Sequence, residues 1–204
     1  MEIEKYNPLP RSFYVREDVV TLAHELLGKV LYTNFGDELT AGIIIETEAY
    51  AGSVDKASHA YNNRRTVRTE VLYMEGGYSY VYLCYGIHSL FNIVTSVQSD
   101  PQAVLIRGIC PLLGIDVMQR RTGTSYLDTK SGNGPGKVAK LLGIHVGNTG
   151  VNLCEEVSVN RKMWLTDENI KVPENEVSIG HRIGIAYAEE DAFLPYRFQW
   201  IKNE

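Results

Sequence analysis

The stretch at 78–96, YSYVYLCYGIHSLFNIVTS, limits the possible folds more than any other part of the chain. Aromatic and β-branched residues dominate both sides of Tyr85-Gly86, a composition typical of two β-strands joined by a tight turn. We therefore predict an antiparallel hairpin with this pair near its tip. Tyr78, Tyr80 and Tyr82 alternate along the first strand, which is typical of packing on one face, whereas Tyr85 falls outside that alternation and should protrude.

The remaining segments predict several short strands and a few helices. Strands are expected at 30–50 (two strands joined by Gly36-Asp37), 102–108, 152–160, 162–166, 176–188 and 196–203. Helices are expected at 17–28 with Gly28 as its end, at 53–61 with Ser53 as N-cap, at 111–123 and at 133–144. This mixture indicates one α+β domain over 1–204, built on a curved antiparallel β-sheet or open barrel with flanking helices and the protruding hairpin. Residues 1–12 should form a loosely ordered segment before it.

Composition argues against several classes of protein. With 204 residues, of which 44% are hydrophobic and 22% charged, the chain matches a globular protein with one good-sized core. No apolar run approaches the length of about 18 residues that spans a bilayer, and the N-terminus is too polar for a signal peptide. Three scattered cysteines, Cys84, Cys110 and Cys154, argue against a disulfide framework or a zinc site. We expect a cytoplasmic protein.

The charge distribution is uneven although the net charge is −5. Residues 57–149 hold nine Lys and Arg against five Asp and Glu, a local charge of +4, and the rest of the chain carries −9. A basic middle between acidic flanks can produce one positive face on an acidic protein. Charges that only solvate the surface are the alternative.

Two carboxylates end an otherwise apolar strand in IIIETEAY at 43–50. Because side chains alternate along a strand, Glu46 and Glu48 should lie on one face. Arg107 ends AVLIRG in a similar way, so two buried strands could bring opposite charges together. Burial raises the pKa of a carboxyl group toward the range of a general base, and a nearby cation lowers it. An ordinary salt bridge is the commoner explanation of such a pair.

The stretch HAYNNRRTVR at 59–68 interleaves aromatic and basic residues: His59, Tyr61, Arg64, Arg65 and Arg68. Cationic groups beside rings and amides suit a nucleic-acid backbone next to a stacking surface, and a solvated basic loop is the alternative. An exposed ring at a hairpin tip, such as Tyr85, is a candidate wedge between stacked bases.

Two further patterns carry weaker signals. GNGPGKV at 132–138 lacks the spacing of a phosphate-binding loop, but a helix beginning there could bring Lys137 and backbone N–H groups to a phosphate. Asp55 and His59 lie four residues apart without the companion ligands of a metal site, so we expect no metal.

Seven short motifs occur in an order that resembles the alkyladenine (3-methyladenine) DNA glycosylase family. They are ETEAY, the histidine eleven residues after Glu48, YVYLCYG, the asparagine of FNI, VLIRG, GPGK and RIG. The likeness runs from about Phe13 to Trp200. Each motif is weak alone, whereas the ordered set is specific.

The resemblance implies roles for the matched residues. Glu48 would deprotonate the water that attacks the sugar C1′, and Arg107 with the backbone carbonyl of Ile183 would hold that water. The extruded base would be contacted by Tyr50 on one side, by His59 and Tyr82 on the other, and by Asn92 beneath, where the amide would clash with the exocyclic amino group of guanine. Tyr85 would fill the gap left in the duplex, and the basic residues Arg64, Arg65, Arg68 and Lys137 would contact DNA.

The sequence therefore predicts a monofunctional DNA N-glycosylase. It would rotate alkylated or deaminated purines (the 3-methyladenine, 7-methylguanine, hypoxanthine and ethenoadenine class) out of double-stranded DNA and leave an abasic site without cutting the strand. No cofactor and no membrane are expected, and the protein should be a monomer, nucleoid-associated if the source is prokaryotic. Two alternatives remain: a module that binds damaged bases without cleaving them, which would not need Glu48 beside Arg107, and a hydrolase of free nucleosides, which would leave the wedge unused.

Overall fold

The computed structural model of the chain describes residues 7–155 and 162–201. Within these ranges nine strands form one antiparallel sheet. They are β1 (Val30–Phe35), β2 (Glu38–Tyr50), β3 (Ser79–Cys84), β4 (His88–Thr95), β5 (Gln102–Leu113), β6 (Gly132–Asn133), β7 (Met163–Thr166), β8 (Val177–Gly180) and β9 (Arg197–Trp200). The order across the sheet is β3-β4-β5-β2-β1-β7. In addition β6 pairs with β5, β9 pairs with β2, and β8 pairs with β9. The sheet curls into a half-barrel, which confirms the predicted α+β fold.

The long strand β2 is the centre of the sheet. It pairs with β5 over most of its length, while on its other side β1 covers the first half and β9 takes over at Glu46. The register against β5 shifts on both sides of Glu46, as at a β-bulge. A bulge adds a local bend and twist, so the sheet curls where the partner of β2 changes. This bend lies at the two carboxylates that the sequence singled out.

The hairpin β3–β4 has the predicted form. The register pairs Cys84 with His88, and Tyr85 and Gly86 between them both have positive φ, at 50° and 72°. Positive φ at both central positions is the backbone of the tight turn that suits the right-handed twist of a hairpin. Glycine adopts it at no steric cost, whereas Tyr85 adopts it against its preference. The Tyr85 side chain is 90% exposed, as predicted.

Four α-helices flank the sheet in the described residues: α1 (Arg11–Tyr14), α2 (Val19–Glu25), α3 (Ile115–Thr122) and α4 (Pro135–Leu142). Asp18 caps α2 by accepting from the backbone N–H groups of Val20 and Thr21. Apolar side chains of α2 and α4 join those of β2, β4 and β5 in the main core. No described helix is long and apolar enough to cross a membrane.

Several boundaries differ from the prediction. Residues 53–61 hold turns and single turns of 3₁₀-helix (Gly52–Val54 and Tyr61–Asn63), not an α-helix, and Ser53 caps nothing. Residues 111–113 continue β5 instead of starting a helix. The strand predicted at 176–188 ends at Gly180, and a 3₁₀ segment follows at Ala186–Phe193.

Two more predictions fall partly on residues outside the described ranges. Of the strand predicted at 152–160, residues 156–160 lie outside the described residues, and Asn152 forms only an isolated bridge with Tyr78. Of the segment 1–12, residues 1–6 lie outside the description; Leu9 is buried, and its N–H donates to the carbonyl of Leu165.

Candidate active site

A cavity of about 410 Å³ opens between the hairpin, the ends of β2 and β5, and the loop after β8. Eight of the predicted site residues line it: Tyr50, His59, Arg68, Tyr82, Tyr85, Asn92, Arg107 and Ile183. They come from six separate segments of the chain, so the cavity exists only in the folded sheet. A cavity of this size, with aromatic walls and a few converging polar groups, is typical of a small-molecule or base pocket.

Glu48 lies directly behind the cavity wall. It is fully buried, and its hydrogen-bond donors are the Tyr50 hydroxyl, 2.9 Å from Oε2, and the Ile183 N–H, 2.7 Å from Oε1. Arg107 Nε lies 3.3 Å from Oε1. The predicted meeting of Glu48 and Arg107 is therefore confirmed, and all three partners of the carboxylate line the cavity.

Burial decides the protonation chemistry of Glu48. Loss of hydration raises the pKa of its carboxyl group, and the nearby Glu46 carboxylate adds to the rise. Arg107, the Ile183 N–H and the Tyr50 hydroxyl oppose it, with Arg107 the largest of the three. The balance remains a raised pKa, which brings the group toward the range in which a carboxylate works as a general base near neutral pH.

Several aromatic rings line the cavity. His59 packs edge-on against Tyr82 with ring centroids 4.6 Å apart, and its Nδ1 lies 2.8 Å from the Tyr80 hydroxyl. Burial, with help from Arg68 and Arg64, lowers the pKa of His59 to about 4. The imidazole is therefore neutral above that pH and presents a ring rather than a charge to whatever enters. Tyr50 also lines the cavity.

An ion pair behind Tyr50 was not predicted from the sequence. Both guanidinium Nη atoms of Arg182 bond the two carboxylate oxygens of Asp55, and Nη1 also donates to the Ala49 carbonyl at 2.9 Å. The guanidinium carbon lies 4.8 Å from the centroid of the Tyr50 ring. Both side chains of the pair are buried. Through these bonds Arg182, the neighbour of Ile183 in the chain, connects the end of β2 with the loop that carries His59. The motif RIG contained the arginine, but no spacing linked it to Asp55.

Asn92 is held by its backbone surroundings. It is buried on β4, and its Nδ2 donates to the carbonyls of Tyr80 at 3.1 Å and Leu90 at 3.3 Å. These bonds use the amide nitrogen, and within the described residues the Oδ1 atom has no hydrogen-bond donor. Asn92 lines the cavity beside Leu105, its partner across the sheet.

The predicted DNA-contacting residues divide into two groups. Arg68 lies at the cavity: its guanidinium carbon is 5.2 Å from the Tyr82 ring centroid, and its Nη2 is 3.4 Å from His59 Nε2. Arg65 pairs with Glu70 through two hydrogen bonds of 2.6 and 2.9 Å, on an exposed turn. Arg64 and Lys137 are exposed, and within the described residues neither has an acidic partner.

The described residues contain no group of three or more His, Cys, Asp and Glu side chains placed to hold a metal ion. The carboxylates next to the cavity, those of Glu46, Glu48 and Asp55, pair with arginines.

Comparison with known proteins identifies the family. The family model described as "Methylpurine-DNA glycosylase (MPG)" matches residues 12–204. The chain belongs to the methylpurine-DNA glycosylase family. As a methylpurine-DNA glycosylase it is a hydrolase of N-glycosyl bonds whose substrate is DNA. This agrees with the resemblance drawn from the seven motifs.

Individual relatives support the same assignment over nearly the full length. A protein of Chlamydia abortus is 45% identical over 201 residues, which cover 96% of this methylpurine-DNA glycosylase and 100% of the relative. One of Clostridium perfringens (strain 13 / Type A) is 41% identical over 202 residues, covering 96% of both chains. One of Bdellovibrio bacteriovorus is 40% identical over 190 residues, covering 93% of both. All three carry the name "Putative 3-methyladenine DNA glycosylase".

Proposed function

We propose that this protein excises alkylated and deaminated purines from double-stranded DNA by hydrolysis, with Glu48 as the base that activates water. Its substrates would belong to the class of 3-methyladenine, 7-methylguanine, hypoxanthine and ethenoadenine. The observation that carries the proposal is the position of a buried carboxylate, paired with Arg107, behind a cavity that is large enough for a nucleobase and lined in part by aromatic rings. The names of the relatives support the alkylated members of the class.

The chemistry follows from the bond to be broken. An N-glycosidic bond breaks through a sugar with cationic character at C1′, and a fixed anion nearby stabilises that charge. Glu48 takes a proton from water while the water oxygen bonds to C1′ and the base leaves with the electron pair of the C1′–N bond. General-base assistance of this kind contributes about 10²–10⁴-fold to a rate. Arg107, which lines the cavity and contacts Glu48, would hold the water together with the Ile183 carbonyl.

Recognition of the base would rest on the aromatic walls. A nucleotide must leave the stack to reach the cavity, which costs a few kcal/mol and costs least for a damaged or mismatched base. Stacking between Tyr50 and the His59–Tyr82 pair would return about 1–3 kcal/mol per base. Asn92 supports selection against guanine, because its buried amide makes two hydrogen bonds to backbone carbonyls that oppose its displacement by an added exocyclic amino group.

Contact with DNA would use the exposed groups around the cavity mouth. Tyr85 protrudes at the hairpin tip and lines the cavity, a position that suits a ring that fills the space of the extruded nucleotide. Arg64 and Lys137 are free to meet phosphates, whereas Arg65 is engaged by Glu70 and Arg68 lies against Tyr82. The protein would act as a monomer.

Hydrolysis without strand cleavage is also part of the proposal. A glycosylase that cuts the strand needs an amine nucleophile at C1′, such as a lysine. The cavity walls within residues 7–155 and 162–201 contain no lysine. The product would therefore be an intact strand with an abasic site.

The test uses duplex oligonucleotides with a single hypoxanthine or 3-methyladenine. Wild type should release the base and leave an alkali-sensitive site, and Glu48→Gln should bind the same duplex but release the base at least about 100-fold more slowly. Equal release by both proteins would remove Glu48 from its role. Free inosine and 3-methyldeoxyadenosine serve as the second pair of substrates, since a nucleoside hydrolase would cleave them as fast as the duplex.

A further inference from the structure

The second carboxylate of ETE has no role in the chemistry described so far. Glu46 is buried at the bulge of β2, and its Oε1 lies 3.1 Å from Arg107 Nε and 3.3 Å from Arg197 Nε. Arg107 Nε therefore lies within 3.3 Å of both Glu46 and Glu48. Two carboxylates and two guanidinium groups form one chain of contacts, from Glu48 through Arg107 and Glu46 to Arg197 on β9.

A glycine on the neighbouring strand leaves room for the Glu46 side chain beside Arg107. Gly108 follows Arg107 and pairs with Glu46 in the sheet. A Cβ at position 108 would lie 3.0 Å from the Glu46 Cβ and 3.4 Å from its Oε2. That spacing is tighter than side chains ordinarily adopt, so a residue larger than glycine would displace the carboxylate from Arg107. The bulge and Gly108 together bring Glu46 to the guanidinium.

Sharing the cation has an electrostatic consequence for Glu48. If Arg107 served Glu48 alone, the guanidinium would stabilise the ionised form fully and make the carboxylate a weak base. Glu46 also interacts with the Arg107 guanidinium, which weakens the interaction of Arg107 with Glu48. Its negative charge also repels that of Glu48. Arg197 limits the effect, because it gives Glu46 a cation of its own.

We propose that Glu46 and Arg197 are positioning residues. The pair holds the Arg107 guanidinium between the carboxylates of Glu46 and Glu48, so that this cation stabilises the ionised form of Glu48 only in part. This rests on the proposed function of Glu48 as the base. Neither residue touches the cavity, and neither acts on the substrate directly. The chemistry would depend on them through the basicity of Glu48 and the orientation of Arg107.

Several other charged and titratable groups lie near Glu48. Arg107 comes from β5, the Tyr50 hydroxyl from β2, and the Ile183 N–H from the loop after β8. Arg182 precedes Ile183 and is paired with Asp55, while Tyr82 and Tyr187 approach from β3 and from the 3₁₀ segment. A change at Glu46 or Arg197 removes none of these groups, and of them Glu46 contacts only Arg107. A shift in the titration of Glu48 can therefore be assigned to the pair and its effect on Arg107.

The experiment titrates Glu48 directly and then follows base release. Protein labelled with ¹³Cδ-glutamate is titrated by NMR, and the Glu48 resonance is the one that Glu48→Gln removes. Glu46→Gln should move the Glu48 midpoint down by about 1 pH unit, because a repelling charge is lost and Arg107 turns to Glu48 alone. Arg197→Gln should move it up, because Glu46 then takes a larger share of Arg107. The acid limb of the pH profile of hypoxanthine release should move in the same directions.

Two controls make the outcome decisive. Glu38→Gln, at the far end of β2 in an exposed pair with Arg120, should leave the midpoint unchanged. Arg197→Lys keeps the charge and should keep the midpoint. Arg197 is partly exposed, so its variants test the proposal even if Glu46→Gln does not fold. An unmoved midpoint in Glu46→Gln, or shifts of the same sign in Glu46→Gln and Arg197→Gln, would overturn it. Absence of base release by wild type would instead overturn the proposed function and leave the NMR result standing.

Discussion

The buried pair of Asp55 and Arg182 allows a sharp prediction about stability. Asp55→Asn keeps the size of the side chain but removes the charge that faces the guanidinium. Both side chains are nearly inaccessible, at 1% and 0% exposure, so water cannot replace the lost partner. Breaking a buried ion pair from one side costs about 3–5 kcal/mol, because an uncompensated charge stays behind. For a chain of this length we expect the melting temperature to fall by about 6–20 °C.

Two further variants separate this mechanism from others. Arg182→Met added to Asp55→Asn should recover much of the loss, since no charge then remains buried. Glu70→Gln removes an equally bidentate partner from Arg65, but those side chains are 58% and 51% exposed. Water solvates the freed guanidinium in that case, and the melting temperature should not change measurably.

The measurement is thermal unfolding of the four proteins, followed by circular dichroism and by calorimetry at one buffer composition. A fall of less than about 2 °C for Asp55→Asn, at most about 1 kcal/mol on this scale, would refute the reasoning. Equal falls for Asp55→Asn and Glu70→Gln would refute the claim that burial is the cause.

Three other predictions concern the active site itself. Tyr50→Phe keeps the ring but removes the hydrogen bond that lowers the pKa of Glu48; the pKa should rise, so activity should be lost at a higher pH on acidification, and an acid limb that stays in place would contradict this. Tyr85→Ala should weaken binding of a lesion duplex by about 10-fold, as for one lost stacking contact, with little effect on release from a single strand; unchanged duplex affinity in a fluorescence titration would exclude the wedge. Asn92→Ala should raise the release of undamaged guanine relative to hypoxanthine, measured by chromatography of freed bases, and an unaltered ratio would remove Asn92 from base selection.

Much of the local structure could be predicted from the sequence, because local patterns determine it. Aromatic and β-branched residues around Tyr85-Gly86 led to the hairpin and to the exposed ring at its tip. The apolar runs before Glu48 and Arg107 predicted the two buried strands that carry these residues, although β5 continues past Arg107 to Leu113. Their contact follows from the antiparallel pairing of β2 with β5. Alternation also predicted that Glu46 and Glu48 share one face, and in the structure both contact Arg107.

The helix expected at 53–61 shows where local patterns were not enough. Asp55 bonds Arg182, which lies 127 residues away, and it also accepts from the N–H groups of Ala51 and Ala57. These bonds satisfy the backbone in a non-helical form that spacing within the segment does not reveal. Tertiary contacts therefore overrode the local preference for a helix.

The amino-acid sequence by itself determined where most of the strands lie, where the tight turn lies and which motifs belong to the family, since these depend on neighbouring residues. Only the tertiary structure decided that β9 replaces β1 beside β2 at Glu46, that Arg197 joins the charges there and that Arg182 lies behind Tyr50. Such contacts join residues far apart in the chain, and they are selected by the burial of charge. A buried carboxylate must find a cation or a donor wherever the fold supplies one.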